Sequence, residues 1–205
     1  MSGTIDYYFT LVSPFVWLGH RAFVEIAKRH GKEIRYRPIN IGGVWQVSGS
    51  VPLGQRSPLR QRYGLIELQR MAEWRGLDLK LQPESFPCNP ELADRCVIAI
   101  SASGGNPDDF IHAVGEALWS HDRSIADATV LEELLEACGH DSKKMLELAQ
   151  TDECARTRQE NTDAAAAADA TGAPTYVYLG EPFWGQDRLD LLDRMLTTGR
   201  KPFTT

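Results

Sequence analysis

The chain has 205 residues, 42% of them hydrophobic and 24% charged, and a net charge of -6. That is ordinary globular composition, enough for one large domain or a compact domain carrying a second inserted in it, and it argues against disorder. The negative balance argues against a nucleic-acid partner, and the absence of a span-length apolar run or a secretory leader predicts a cytosolic protein without a membrane partner.

Residues 4–12, TIDYYFTLV, are β-branched and aromatic and predict a strand. From Phe15, apolar residues recur at Leu18, Ala22 and Ile26, the spacing of a helix, and Gly31 stops it after a basic last turn. EIRYRPIN alternates as a second strand whose ladder ends at Pro38. The stretch IGGVWQVSGSVPLGQRSP, rich in Gly, Ser and Pro, predicts a long loop. From about Pro58 to Ala170, helix follows helix, several opened by Asn-Pro or Asp and closed by glycine. The alanine run 164–168 predicts a tightly packed helix. APTYVYLG is a strand again, EPFWG a short return and DRLDLLDRMLTT a closing helix. The order βαβ, helical block, ββα predicts an α/β domain with an all-helical insertion.

Three short segments carry candidate chemistry. At the first strand-to-helix junction, a dithiol enzyme would place Cys-x-x-Cys, but this chain has Ser13 and Val16, which form no disulfide. Ser13 before Pro14 has an ordinary explanation as a helix cap, although Val16 stands where a reciprocal capping box needs Glu or Gln. The functional alternative is that the helix N-terminus favours an anion and the hydroxyl donates to a thiolate brought by a cofactor. In TGAPTYVYLG, Pro174 is either an edge-strand proline or a cis one, which would leave the Ala173 backbone free to pair with an extended ligand. In FWGQDRLD, Gln186 and Asp187 either cap the last helix or receive an α-ammonium group.

Taken together, the Ser-Pro junction, Gly-Ala-Pro-Thr and Phe-Trp-Gly-Gln-Asp-Arg-Leu-Asp resemble one family, the 2-hydroxychromene-2-carboxylate isomerases. They group with the kappa-class glutathione transferases in the DsbA-like thioredoxin superfamily. The resemblance spans nearly the whole chain and includes SPLRQRYGLIELQRMAEWRG and ESFPCNPELADR. It implies a thioredoxin-like fold of residues 1–55 and 171–205, with a helical domain of residues 56–170 inserted in it. It also implies glutathione as cofactor. Ser13 would lie against the sulfur, and the Ala173 backbone, before a cis Pro174, would pair with the tripeptide. Trp184, Gly185, Gln186 and Asp187 would hold the γ-glutamyl end. The implied reaction is reversible thiolate addition to a conjugated carbon, bond rotation, and elimination to the alkene of opposite geometry. The implied substrate is a small aromatic carboxylate, and the implied assembly a homodimer.

Departures from the family pattern fall on the substrate side. Ser50 stands in the place of an asparagine and Arg60 in that of a lysine, changing reach and donor geometry. Trp45, Phe86 and Asn89 are further substrate-side candidates, each with an ordinary alternative as a buried aromatic or a helix cap. Cys88, Cys96, Cys138 and Cys154 show neither zinc-ligand nor redox spacing, which predicts free thiols and no metal site. A kappa-like transferase or peroxidase that consumes glutathione, and a non-catalytic glutathione binder, are the alternatives to an isomerase.

Overall fold

The computed structural model describes residues 3–203. Strand β1 (Thr4–Phe9) leads through helix α1 (Pro14–Arg29) to β2 (Glu33–Pro38), which pairs with β1 in parallel, Thr4 opposite Glu33 and Phe9 opposite Pro38. The α1 crossover is what a parallel pair requires. Its end is a basic turn and Gly31, which adopts φ 58°, a conformation that suits glycine. Much later in the chain, β3 (Thr175–Tyr178) and β4 (Glu181–Trp184) complete a sheet of order β2-β1-β3-β4, with β3 antiparallel to both neighbours. Leu179 and Gly180 join these two strands with φ of 53° and 84°, the positive pair of a two-residue hairpin turn. Among the described residues no strand lies between β2 and β3, so the connection is entirely helical.

The stretch expected as a long loop is partly helix, α2 (Ile41–Ser48). Its glycines read as loop residues, but local caps and a neighbour override that reading. The Asn40 side chain accepts the Gly42 N–H, and Gly49 closes the helix at φ 72°. Val44 is buried, and a Cβ at Gly43 would sit 2.9 Å from Thr162 Cγ2, so the glycine permits close approach to the neighbouring helix. After a short turn at Leu53–Gln55 come α3 (Pro58–Arg75), α4 (Glu91–Ala102), α5 (Asp108–Trp119), α6 (Ala128–Ala137), α7 (Ser142–Ala149) and α8 (Asp152–Ala167). A second short turn, Gln186–Arg188, precedes the closing helix α9 (Leu189–Thr198).

Strand alternation sorts the core. Ile5, Tyr7, Phe9 and Tyr176 join the larger cluster, which includes α1, α4, α5 and α9. Tyr8 and Val177 face the other way, against Val44 of α2 and Ala165 of α8. The alanine run thus forms the last turn of α8 and its cap at Ala168, with Ala165 fully buried but Ala167 exposed. No helix among the described residues is long and apolar enough to cross a membrane.

Candidate active site

The parallel strands β1 and β2 both run towards one edge, and ligands of α/β sheets sit beyond such carboxyl ends. There the chain passes from Phe9 through Thr10–Val12 to Ser13 and α1. The Ser13 N–H donates to the Thr10 carbonyl at 3.1 Å, and its own carbonyl accepts from Val16 and Trp17 at 3.2 and 3.3 Å. Its side chain makes no capping hydrogen bond. The half-buried hydroxyl thus has no hydrogen-bond partner among the described residues, at the positive end of a 16-residue helix.

A second wall comes from the segment before β3. The Ala173–Pro174 bond is cis, as the sequence suggested. Tyr8 pairs with Thr175, so the antiparallel register carries Pro174 and Ala173 to the exit of β1, beside Thr10. The residues on either side are tied down: the Thr175 hydroxyl donates to the Gly172 carbonyl at 2.7 Å, and Gly185 N–H to the Pro174 carbonyl at 2.8 Å. The Ala173 N–H and carbonyl have no hydrogen-bond partner among the described residues. Peptide groups left unpaired next to ordered neighbours suit a strand-like ligand.

The third wall is Trp184–Asp187. The Trp184 indole packs over Gly172, where an added Cβ would meet Nε1 at 2.7 Å. Gln186 is buried, its Cβ fills the notch at Gly19 of α1, and its Oε1 accepts from Arg75 at 3.3 Å. Its side-chain oxygen thus supports the wall from behind. Asp187 is exposed and among the described residues pairs only with its neighbour Arg188, at 2.5 Å, leaving a carboxylate accessible to a cationic ligand group.

The substrate-side candidates divide. Ser50 reaches towards the same region, its hydroxyl 3.4 Å from the Thr171 carbonyl, and Trp45 is half-buried on α2. Arg60 is exposed at the start of α3, close to Arg56, and neither forms an ion pair among the described residues. Burial and the neighbouring Arg60 charge lower the Arg56 pKa. Phe86 instead packs on Trp119 with centroids 4.9 Å apart, and Asn89 accepts the Glu91 N–H at 3.0 Å as α4 begins. Burial raises the Cys88 thiol above its ordinary range, which disfavours a thiolate. A surface cleft of about 580 Å³ opens elsewhere, between β4, α9 and Phe203; it borders Trp184 and Arg188 but not Ser13. The cleft therefore lies apart from the Ser13 junction.

The chain matches the family described as DSBA-like thioredoxin domain over residues 4–197. It belongs to that family. Within it, the chain is 26% identical over 197 residues to a 2-hydroxychromene-2-carboxylate isomerase of Sphingobium xenophagum, covering 96% of this chain and 99% of that one. It is 29% identical over 193 residues to another from Pseudomonas sp. strain C18, covering 92% and 88%. A solved structure of 2-hydroxychromene-2-carboxylate isomerase superposes with a TM-score of 0.78 at 25% identity, covering 95% of each chain. The protein is thus an isomerase-like member of the DSBA-like thioredoxin family, with a helical insertion between β2 and β3.

Sequence reasoning missed three charged residues around this site: Asp94, Arg158 and Arg75. Asp94 left a signal, being an acid on the same helical face as Val97 and Ile98 in an otherwise apolar segment. Arg158 and Arg75 lie in helices dense with polar residues, where nothing distinguishes a half-buried arginine from a solvated one.

Proposed function

We propose that the protein is a glutathione-dependent cis-trans isomerase acting on substrates of the 2-hydroxychromene-2-carboxylate and trans-o-hydroxybenzylidenepyruvate type. One observation carries the reading: the Ser13 hydroxyl, without a partner among the described residues, lies at a helix N-terminus just past the β1 exit that faces the unpaired backbone of Ala173, with no cysteine at position 13 or 16. A dithiol reaction has no sulfur there, whereas a thiol-bearing tripeptide fits both features. When bound, glutathione supplies a thiolate that adds reversibly to a conjugated carbon.

Ser13 donates a hydrogen bond to the sulfur and, with the α1 N-terminus, favours its ionised form at neutral pH. The Ala173 N–H and carbonyl pair with the tripeptide backbone, Pro174 shapes that edge, and Trp184 and Gly185 form the adjoining wall. Asp187 receives the α-ammonium group, while Gln186 holds the wall in register through Arg75 and Gly19. Arg60, with Arg56 beside it, attracts the substrate carboxylate, and Ser50 and Trp45 border the same side. Residues 1–55 and 171–205 carry glutathione in this scheme, and residues 56–170 cover the substrate.

The test is isomerisation of a hydroxybenzylidenepyruvate substrate with and without glutathione. The reading expects turnover only when the tripeptide is present; glutathione-independent turnover, or none under either condition, contradicts it.

A further inference from the structure

Beneath the Ser13 junction lies a buried ion pair that the proposed chemistry does not use. Asp94 of α4 has a fully buried side chain, and that of Arg158 of α8 is 12% exposed. Asp94 Oδ1 accepts the Leu11 N–H at 2.9 Å. Its Oδ2 accepts from the Thr10 hydroxyl at 3.0 Å and from Arg158 at 2.8 and 3.2 Å. Arg158 also donates to the Ile39 carbonyl at 3.1 Å, just past the end of β2. The two helices therefore grip the exits of both parallel strands through one carboxylate and one guanidinium.

The link to Ser13 is short. Thr10 and Leu11 are held through a side chain and a backbone amide, and the Thr10 carbonyl accepts the Ser13 N–H. A buried charge is tolerated only with its partner and hydrogen bonds all in place, so the arrangement has little freedom to drift. A purely apolar contact would tolerate sliding of the 10–13 segment; directed bonds to both of its first two residues do not.

We propose that Asp94 is a positioning residue for the Ser13 site, fixing the Thr10–Ser13 segment and coupling it through Arg158 to the helical insertion. The proposal rests on the reading of Ser13 as the group that meets the sulfur. Burial pushes the Asp94 carboxyl up to about 6, with Arg158 and the Leu11 and Thr10 donors pulling against it. Both Asp94 oxygens face only donors, Arg158 among them, an arrangement that suits an ionised carboxylate.

Amide hydrogen exchange on the glutathione-free protein tests this without relying on activity. In Asp94→Asn, an amide replaces an oxygen that faces only donors, so at least one bond to the segment or to Arg158 is lost. The Leu11 and Ser13 amides should then exchange roughly tenfold faster or more, while the amides of β1 keep their rates. Thr10→Val removes only the hydroxyl and leaves the ion pair in place. It should shift the same two amides in the same direction by less, and it decides the matter alone if Asp94→Asn does not fold. With glutathione and substrate, both variants should lose kcat while KM for glutathione stays near wild type. Unchanged exchange at Leu11 and Ser13, or acceleration spread evenly along β1, overturns the proposal. If the wild-type protein binds no glutathione, the functional reading fails, whereas the exchange result still decides what Asp94 holds.

Discussion

A serine followed by proline at a helix start usually accepts a hydrogen bond from the first-turn amides, and Ser13 does not. That geometry separates two effects that sequence alone leaves entangled. Replacing a capping serine costs about 1 kcal/mol of stability, but Ser13→Ala should change stability by no more than about 0.5 kcal/mol. Its effect should fall on turnover, lowered roughly 10- to 150-fold if one hydrogen bond to a charged group is lost in the transition state. Parallel denaturation and steady-state measurements check both halves; a large stability loss with unchanged turnover would make Ser13 a structural residue. The sequence singled out Gln186 but left the direction of its side chain open. Which face of a short turn is buried depends on Gly19 and Arg75, both distant in sequence. For Phe86 and Asn89 the sequence held both a substrate-side and an ordinary reading, and the structure shows the ordinary contacts, packing on Trp119 and an Asn89 bond to the Glu91 N–H at the start of α4.

At the scale of elements, α2 was the least legible. Its glycines have low helix propensity, and the compensation comes from α8, where Thr162 accepts the Asn40 N–H at 2.9 Å and lies against Gly43. Gly43→Ala should raise local helix propensity yet destabilise the protein by about 1–3 kcal/mol through overpacking against this β-branched neighbour. Stabilisation in thermal melts would show that the helices can part at no cost. The edge strand β4 is anchored differently. Arg200 binds both oxygens of Glu181 at 2.7 Å, and the Phe203 N–H donates to the same carboxylate at 2.8 Å. The Arg200 hydrogen bonds hold the Glu181 pKa below its ordinary value. Because the folded pKa lies below the unfolded one, the stabilisation is complete above about pH 4.3 and is lost as pH falls through the folded value. Glu181→Gln should therefore cost about 1–2 kcal/mol at neutral pH and less in acid, a convergence that urea titrations at several pH values would reveal. A gap that stays constant with pH would contradict it.

Over the whole molecule, the fold was legible because its signals are local and repeated. β-branched runs marked three strands at the two ends of the chain, and capped helices filled the middle. The candidate site was legible only as separated fragments, Ser13, Ala173–Pro174 and Trp184–Asp187. What brings them together is non-local: the β1–β3 register, the fit of Gln186 against Gly19, and the buried pair of Asp94 and Arg158. Long-range pairing of this kind leaves no periodic trace in a single sequence. The resulting account makes glutathione a returned reactant, and a chemical balance tests that claim most directly. Glutathione is supplied far below the substrate concentration, the reaction is run to equilibrium, and free thiol is measured beside the isomerised product. The account predicts many product molecules per glutathione with the thiol recovered in full; loss of one thiol per product formed would contradict it and make the protein a transferase.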